Sequence, residues 1–247
     1  MADFRSCEGK KPSMFPVSRA DAILLGALTL VAPAYSYYAG RRIAAGAMPA
    51  RTAAYGRTML SWWLISLAMA LVWVRMGRPA SALGLTVHAD ARAAAGAVLC
   101  VLALAYVNGQ RRVLRRMPPE RLARLRSSFG RTLAVLPRTL REYRLFVAVS
   151  VTAGICEELL YRGYFFAMTS HWLTLAGAAV VSACVFGLGH GYQGWKGVVK
   201  TTIAGLVLGA IYIGTGSLLW PAILHALIDV QGGTVGYELL QTGDAGV

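Results

Sequence analysis

The sequence predicts an all-α, polytopic integral membrane protein, a helical bundle with about seven to eight transmembrane helices. Hydrophobic residues make up 56% of the 247 residues, only 15% are charged, and the mean hydropathy is +0.52. In soluble domains about a quarter of the residues are charged. Apolar runs that approach the roughly 20 residues needed to span a bilayer recur along the chain. The alternating segments of about 10 residues that are typical of membrane β-strands are not found.

Seven apolar runs are candidate spans, at roughly 21–40, 57–76, 91–108, 144–168, 172–190, 196–214 and 217–233. The first contains "APA", which resembles the cleavage site of a signal peptide. Its hydrophobic run continues to Arg41, however, and this favours a retained helix. We therefore divide the chain into N-terminal transmembrane helices (1–110), a basic segment (111–143), a transmembrane core (144–233) and a short tail (234–247) that is expected to add an interfacial turn.

The basic segment differs from the rest, because eleven Arg and two Glu lie between Arg111 and Arg144. Leu122, Leu125 and Phe129 recur within it at helical spacing, with Arg between them. This pattern predicts a basic amphipathic helix on the membrane surface, with a plain polar linker as the alternative. The Arg excess predicts that the segment is cytoplasmic.

The net charge of +14 would indicate nucleic-acid binding in a soluble protein. In a membrane protein the same charge is typical of loops that face the cytoplasm and anionic lipid, so we expect the bilayer as partner and no nucleic acid. Cysteines stand at positions 7, 100, 156 and 184 without close spacing. They form neither a disulfide framework nor a CxxC zinc pattern.

The fourth span contains "GICEELLYRGYFF", with Glu157, Glu158 and Arg162 inside an apolar run. Each charge at a helix centre costs about 2.5–3.5 kcal/mol on insertion scales, so such residues indicate pairing or function. Glu158 and Arg162 are four residues apart in the favourable order, and we predict that they pair. Glu157 lies roughly 100° around the helix and has no cation at these spacings. This leaves Glu157 as a candidate general acid or base.

Two further motifs carry polar groups on the following spans. "FGLGH" places Phe186 and His190 on one helix face, with glycines that let a backbone or a substrate come close. "HALID" places His225 and Asp229 on one face, where they can bond each other or share a target. Taken alone, these groups are better explained by an interfacial or core histidine and by a polar pair that seals a helix contact.

Taken together, the polar groups are expected to face the bundle interior and to converge on a wet pocket. His190 and His225 could there assist a water activated by Glu157, or donate hydrogen bonds to an oxyanion. Two His and a carboxylate can also bind zinc, and the ligands would be Glu157, His190 and His225. HExxH is absent and these residues are dispersed in sequence, so spacing leaves a metal open.

Three motifs in order resemble those of a known family. "EELLYR" matches EExxxR, "FGLGH" matches FxxxH, and "HALID" matches HxxxN/D, all on successive predicted helices. The chain thus resembles the CAAX-prenyl-protease-like group of membrane proteins, also called CPBP or Abi, which includes the Rce1-type endopeptidases. The resemblance covers roughly residues 145–233. It implies a helical bundle with a four-helix catalytic core and an active site inside the membrane.

The resemblance also implies residue roles. Glu157 and His190 would activate the attacking water, and His225 and Asp229 would stabilise the oxyanion. The supporting residues would be Glu158, Arg162 and Phe186. The mechanism favoured for this family depends on the glutamate, so we expect no metal or other cofactor. Where the Rce1 branch tends to have Asn, this chain has Asp229, and an ionised Asp cannot donate to an oxyanion. Asp229 is therefore either protonated or orients His225.

These observations predict an intramembrane endopeptidase that cleaves a membrane-bound protein or peptide. The Ala- and Arg-rich composition favours a bacterial inner membrane, with the active site toward the cytoplasm because His190 ends its span on that side. A non-catalytic immunity or scaffold protein of the same fold is one alternative. A proton-coupled transporter, in which buried Glu and His also form relays, is another. "GLVLG" at Gly205–Gly209 indicates tight helix packing, with dimerisation as the lesser alternative. Neither the oligomeric state nor prenylation of the substrate is predicted.

Overall fold

A computed structural model describes residues 15–47, 50–170 and 172–244 of the chain. Within these ranges all regular secondary structure is helical, which confirms the predicted all-α class. The N-terminal Cys7 lies outside the described residues.

Eight helices follow one another along the described chain. They are α1 (Arg19–Ala44, with a π-helical turn at Ala27–Val31), α2 (Arg51–Arg75), α3 (Ala91–Arg115), α4 (Pro119–Phe129), α5 (140–169), α6 (Leu175–Leu188), α7 (Trp195–Thr215) and α8 (Leu219–Asp244). Helix α5 is itself composed of Leu140–Glu158, a π-helix at Leu159–Phe165 and a final turn at Phe166–Thr169. Short 3₁₀ turns lie at Ala80–Leu83, Gly130–Ala134 and Gly191–Gln193.

Each of the seven predicted spans corresponds to a helix, and α4 is the eighth. Among the described residues, four helical stretches are long and apolar enough to cross a membrane on their own: α1, α2, Ala91–Leu114 and α7. Helix α6 is apolar but has only 14 residues. Helix α5 contains the predicted intramembrane charges. The result is a helical membrane bundle, as predicted.

Helix α4 lies in the segment predicted to be basic and amphipathic. Its apolar residues Leu122, Leu125 and Phe129 are half-buried, and every other residue of the helix is exposed. The helical spacing therefore matches the prediction. The start of the segment differs, because residues up to Arg115 continue α3. Contact with the membrane surface stays a prediction.

The C-terminal helix is longer than the predicted span. The segment predicted as a short tail, 234–247, is helical up to Asp244. Leu239 and Leu240 are buried, and Gly236 lies so close to Leu136 that an added Cβ would be 2.3 Å from its side chain. This packing continues the helix beyond the apolar run that marked the span.

Glycines set the close helix contacts around α5. An added Cβ at Gly154 of α5 would lie 2.5 Å from the carbonyl oxygen of Ala222 in α8. An added Cβ at Gly187 of α6 would lie 2.9 Å from the carbonyl oxygen of Val198 in α7. Gly205 of "GLVLG" packs against the Ala183 backbone, which agrees with the expected tight packing. These contacts pack α5 against α8 and α6 against α7.

A buried ion pair that the sequence did not reveal joins α1 to the loop after α2. Arg78 donates from Nη1 and Nη2 to the two carboxylate oxygens of Asp21, at 2.8 and 2.7 Å, and both side chains are at most 1% exposed. Asp21 holds the pKa of the Arg78 guanidinium above its ordinary value through these bonds. Tyr164 of α5 also donates to Asp21, at 3.0 Å. The pair thus ties the N-terminal helices to α5.

Candidate active site

The buried charged residues of α5 lie where its α-helical part meets the π-helix. Glu157, Glu158 and Arg162 are 6%, 0% and 1% exposed. Arg162 Nη1 donates to Glu158 Oε1 at 2.7 Å, which is the ion pair that the spacing predicts. Arg162 Nη2 donates to the carbonyl oxygen of Gly205 in α7 at 3.1 Å. Both terminal nitrogens of the guanidinium therefore donate hydrogen bonds.

His225 of α8 bonds to the same carboxylate. Its Nδ1 lies 2.8 Å from Glu158 Oε1, and because a carboxylate only accepts, Nδ1 is the protonated donor. Its Nε2 lies 3.7 Å from Asp229 Oδ2 and 3.9 Å from Glu157 Oε2. Both distances exceed hydrogen-bond length. Of the two alternatives for His225 and Asp229, the direct bond is therefore not formed, and His225 bonds to Glu158 instead.

Glu157 has the environment that the spacing predicts for it. Its Oε2 atom is buried and has no hydrogen-bond partner among the described residues. The neighbouring charges are those of His225, Asp229, Glu158 and Arg162. Asp229 is more open, with a side chain 38% exposed. Glu157 is therefore a buried carboxylate whose Oε2 atom has no hydrogen bond among the described residues, and its pairing with His225 at 3.9 Å requires a doubly protonated ring.

Phe186 connects the two histidines. Its ring centroid lies 4.7 Å from that of His190, 5.6 Å from that of His225, and 4.4 Å from the Arg162 guanidinium. His190 Nδ1 lies 2.9 Å from the Phe186 carbonyl oxygen. A carbonyl only accepts, so Nδ1 carries the proton and Nε2 of the neutral ring carries the lone pair. His190 can therefore accept a proton through Nε2.

The structure thus brings Glu157, Glu158, Arg162, His225 and Asp229 into one cluster. His190 joins it across the Phe186 ring. Within the described ranges, no hydrogen bond or ion pair links His190 directly to Glu157. Nor do three or more His, Cys, Asp or Glu side chains there form a group that could hold a metal ion.

Sequence reasoning missed the part of α1 that borders the site. Ser36 Oγ accepts a hydrogen bond of 3.0 Å from the backbone N–H of Tyr192, two residues after His190. An added Cβ at Gly40 would lie 2.8 Å from Tyr192 Cα. Ser36 and Gly40 are four residues apart, and this small-xxx-small spacing was the signal that could have indicated a close contact.

Comparison with known proteins agrees with the motifs. Residues 139–231 match the family model described as type II CAAX prenyl endopeptidase Rce1-like. The match contains all the candidate site residues on α5, α6 and α8. No curated protein and no solved structure matches the chain. Residues 139–231 therefore match an Rce1-like domain, in agreement with the CAAX-protease-like (CPBP) family that the three motifs predicted.

Proposed function

We propose that the protein is an intramembrane endopeptidase that hydrolyses a peptide bond of a membrane-associated protein or peptide. The observation that carries this proposal is the environment of the Glu157 carboxylate. Its Oε2 atom is buried without a hydrogen-bond partner and lies 3.9 Å from His225 Nε2. That distance is too long for a hydrogen bond, yet one water can contact both atoms.

In the proposed reaction, Glu157 takes a proton from a water molecule, and the oxygen of that water bonds to the substrate carbonyl carbon. The C–N bond then breaks. The proton held by Glu157 passes to the leaving amine, so the products are an amine and a carboxylic acid, which then releases the second proton of the water to solvent. His190 orients the water through the lone pair on Nε2. No cofactor takes part in these steps, and we propose that catalysis requires no metal.

The chain of contacts from Arg162 through Glu158 to His225 supports this assignment. It fixes the His225 ring so that Nε2 faces Glu157 and Asp229. From there His225 donates to the oxyanion when its ring is doubly protonated. Asp229, at 3.7 Å, orients the ring and is not itself required as a donor.

We propose a bacterial inner membrane as the location, with the site toward the cytoplasm. Two features support this orientation. The Arg-rich segment 111–143 obeys the positive-inside rule if it is cytoplasmic. His190 follows the end of α6, which then lies on the same side of the membrane as that segment.

The experiment compares membrane proteomes of cells that express the wild-type protein or Glu157→Gln, with new protein termini mapped in both. Glu120→Gln is the matched control, because Glu120 is exposed on α4. We expect termini on the cytoplasmic side that disappear only with Glu157→Gln. Identical termini for both proteins, with Glu157→Gln folded in the membrane, would contradict the proposal and favour a scaffold or transporter.

A further inference from the structure

The turn after His190 is held in place by α1, a helix outside the family match. The Tyr192 N–H donates to Ser36 Oγ at 3.0 Å, and Ser36 is buried. Gly40 allows the turn to lie against α1, because an added Cβ there would be 2.8 Å from Tyr192 Cα. The Tyr192 backbone is therefore held against α1 by a hydrogen bond and by a close backbone contact.

The phenol of Tyr192 belongs to the polar site. Its ring centroid lies 6.0 Å from that of His190, with the planes tilted by 37°. Burial raises the pKa of the Tyr192 phenol, and the charges of Asp229 and Glu157 raise it further. Its oxygen accepts a hydrogen bond of 3.1 Å from Gln193 Nε2, and within the described ranges no acceptor is bonded to its proton. That proton can be donated to a third group.

Peptide hydrolysis at this site needs hydrogen-bond donors that stabilise the oxyanion. Few of the neighbouring side chains can donate such a bond. An ionised Asp229 has no proton to donate, and His225 Nε2 donates only in the doubly protonated ring. Arg162 is already bonded to Glu158 and to the Gly205 carbonyl. A phenol has an ordinary pKa of about 10 and so carries its proton throughout the neutral range.

We propose that Tyr192 is a further catalytic residue, whose hydroxyl donates a hydrogen bond to the oxyanion that forms on the substrate carbonyl. This inference rests on the proposed endopeptidase function. The Tyr192 hydroxyl would give this chain a neutral hydrogen-bond donor at a site where Asp229 stands in place of the Asn of the Rce1 branch. Ser36 and Gly40 act through Tyr192 as positioning residues.

The test uses the purified full chain in detergent and a peptide spanning a cleavage site found by terminus mapping. Tyr192→Phe is compared with wild type and with Tyr37→Phe, a matched control on α1 that is 63% exposed. We expect Tyr192→Phe to lower kcat by about 100-fold or more, as loss of an oxyanion donor does, with KM and the unfolding temperature unchanged. A phosphinate analogue of the peptide should bind more weakly by a similar factor.

The outcomes separate the two proposals. If Glu157→Gln is inactive and Tyr192→Phe cleaves within twofold of wild type, the role of Tyr192 is overturned and the endopeptidase function stands. If Glu157→Gln cleaves like wild type, the proposed function itself fails. A fall in activity of Tyr192→Phe that is matched by an equal fall for Tyr37→Phe, or by a lower unfolding temperature, would also overturn the catalytic role.

Discussion

At the scale of single residues, Glu158 organises the site through one oxygen. Its Oε1 accepts from Arg162 at 2.7 Å and from His225 at 2.8 Å, and the carboxylate is fully buried. A buried charge of this kind is tolerated because it is paired and hydrogen-bonded. The ion pair therefore both compensates the charges and aims the His225 ring, so a change at Arg162 should affect folding and activity together.

Arg162→Met tests this coupling. Removal of one partner from a buried ion pair leaves the other charge uncompensated, and this costs about 3–5 kcal/mol. We expect a lower unfolding temperature in detergent, a lower folded yield, and loss of cleavage because His225 is no longer held. Arg141→Met is the control, since Arg141 is exposed on the same helix. Equal stability of the two variants would contradict the structural role of Arg162.

Much of this chemistry could be predicted at the residue scale. The i,i+4 spacing gave the Glu158–Arg162 pair, as in the structure, and left Glu157 without a cation on its own helix. In the structure the Glu157 Oε2 atom has no hydrogen-bond partner among the described residues, and His225 of α8 lies 3.9 Å away. The bond from His225 to Glu158 could not be predicted, because the two residues are 67 positions apart and meet only when α5 packs on α8. Spacing within one helix carries no information on such a contact.

At the scale of elements, the π-helix at Leu159–Phe165 is the main departure from the sequence prediction. The sequence indicates one continuous helix over 144–168, whereas the structure changes hydrogen-bond pattern directly after Glu158. Ser182 of α6 donates to the Tyr161 carbonyl oxygen at 2.9 Å within this stretch. Because the π-helix is stabilised by such tertiary contacts, the local sequence did not reveal it.

The contact between α1 and the Gly191–Gln193 turn gives a prediction for Gly40→Ala. The added Cβ would lie 2.8 Å from the Tyr192 backbone, so the turn must shift. A displacement of about 1 Å at a reacting group can cost up to 100-fold in rate, and we expect a loss of about 10- to 100-fold in kcat. Gly56→Ala is the control, because its added Cβ meets nothing within 4 Å. Comparable rates for the two variants would show that this contact does not position the site.

At the scale of the whole molecule, the ion pair between Asp21 and Arg78 joins the N-terminal helices to the Rce1-like domain. The two residues are 57 positions apart, and Tyr164 of α5 completes the contact. The sequence indicated no partner for either residue, because they do not lie on the same helix and no helical spacing relates them. The bundle and its order of helices could be predicted, but this connection between its halves could not.

Asp21→Asn tests the connection. The substitution removes the negative charge from a pair that is at most 1% exposed, and we expect it to lower the free energy of unfolding by about 3–5 kcal/mol. Asp90→Asn serves as control, because Asp90 is an exposed helix cap and Asn caps equally well, so its effect should stay within about 0.5 kcal/mol. Both values come from chemical denaturation in detergent. A similar stability of the two variants would mean that the pair does not join the halves.

The central claim is that Glu157 activates the attacking water without a metal. The measurement is the cleavage rate of the mapped peptide by purified wild-type protein and Glu157→Gln, each with and without a chelator. We predict that Glu157→Gln loses about 10²–10⁴-fold in kcat while keeping its unfolding temperature, and that the chelator leaves the wild-type rate unchanged. A Glu157→Gln protein that cleaves at the wild-type rate, or a wild-type protein silenced by the chelator and restored by metal, would contradict the claim.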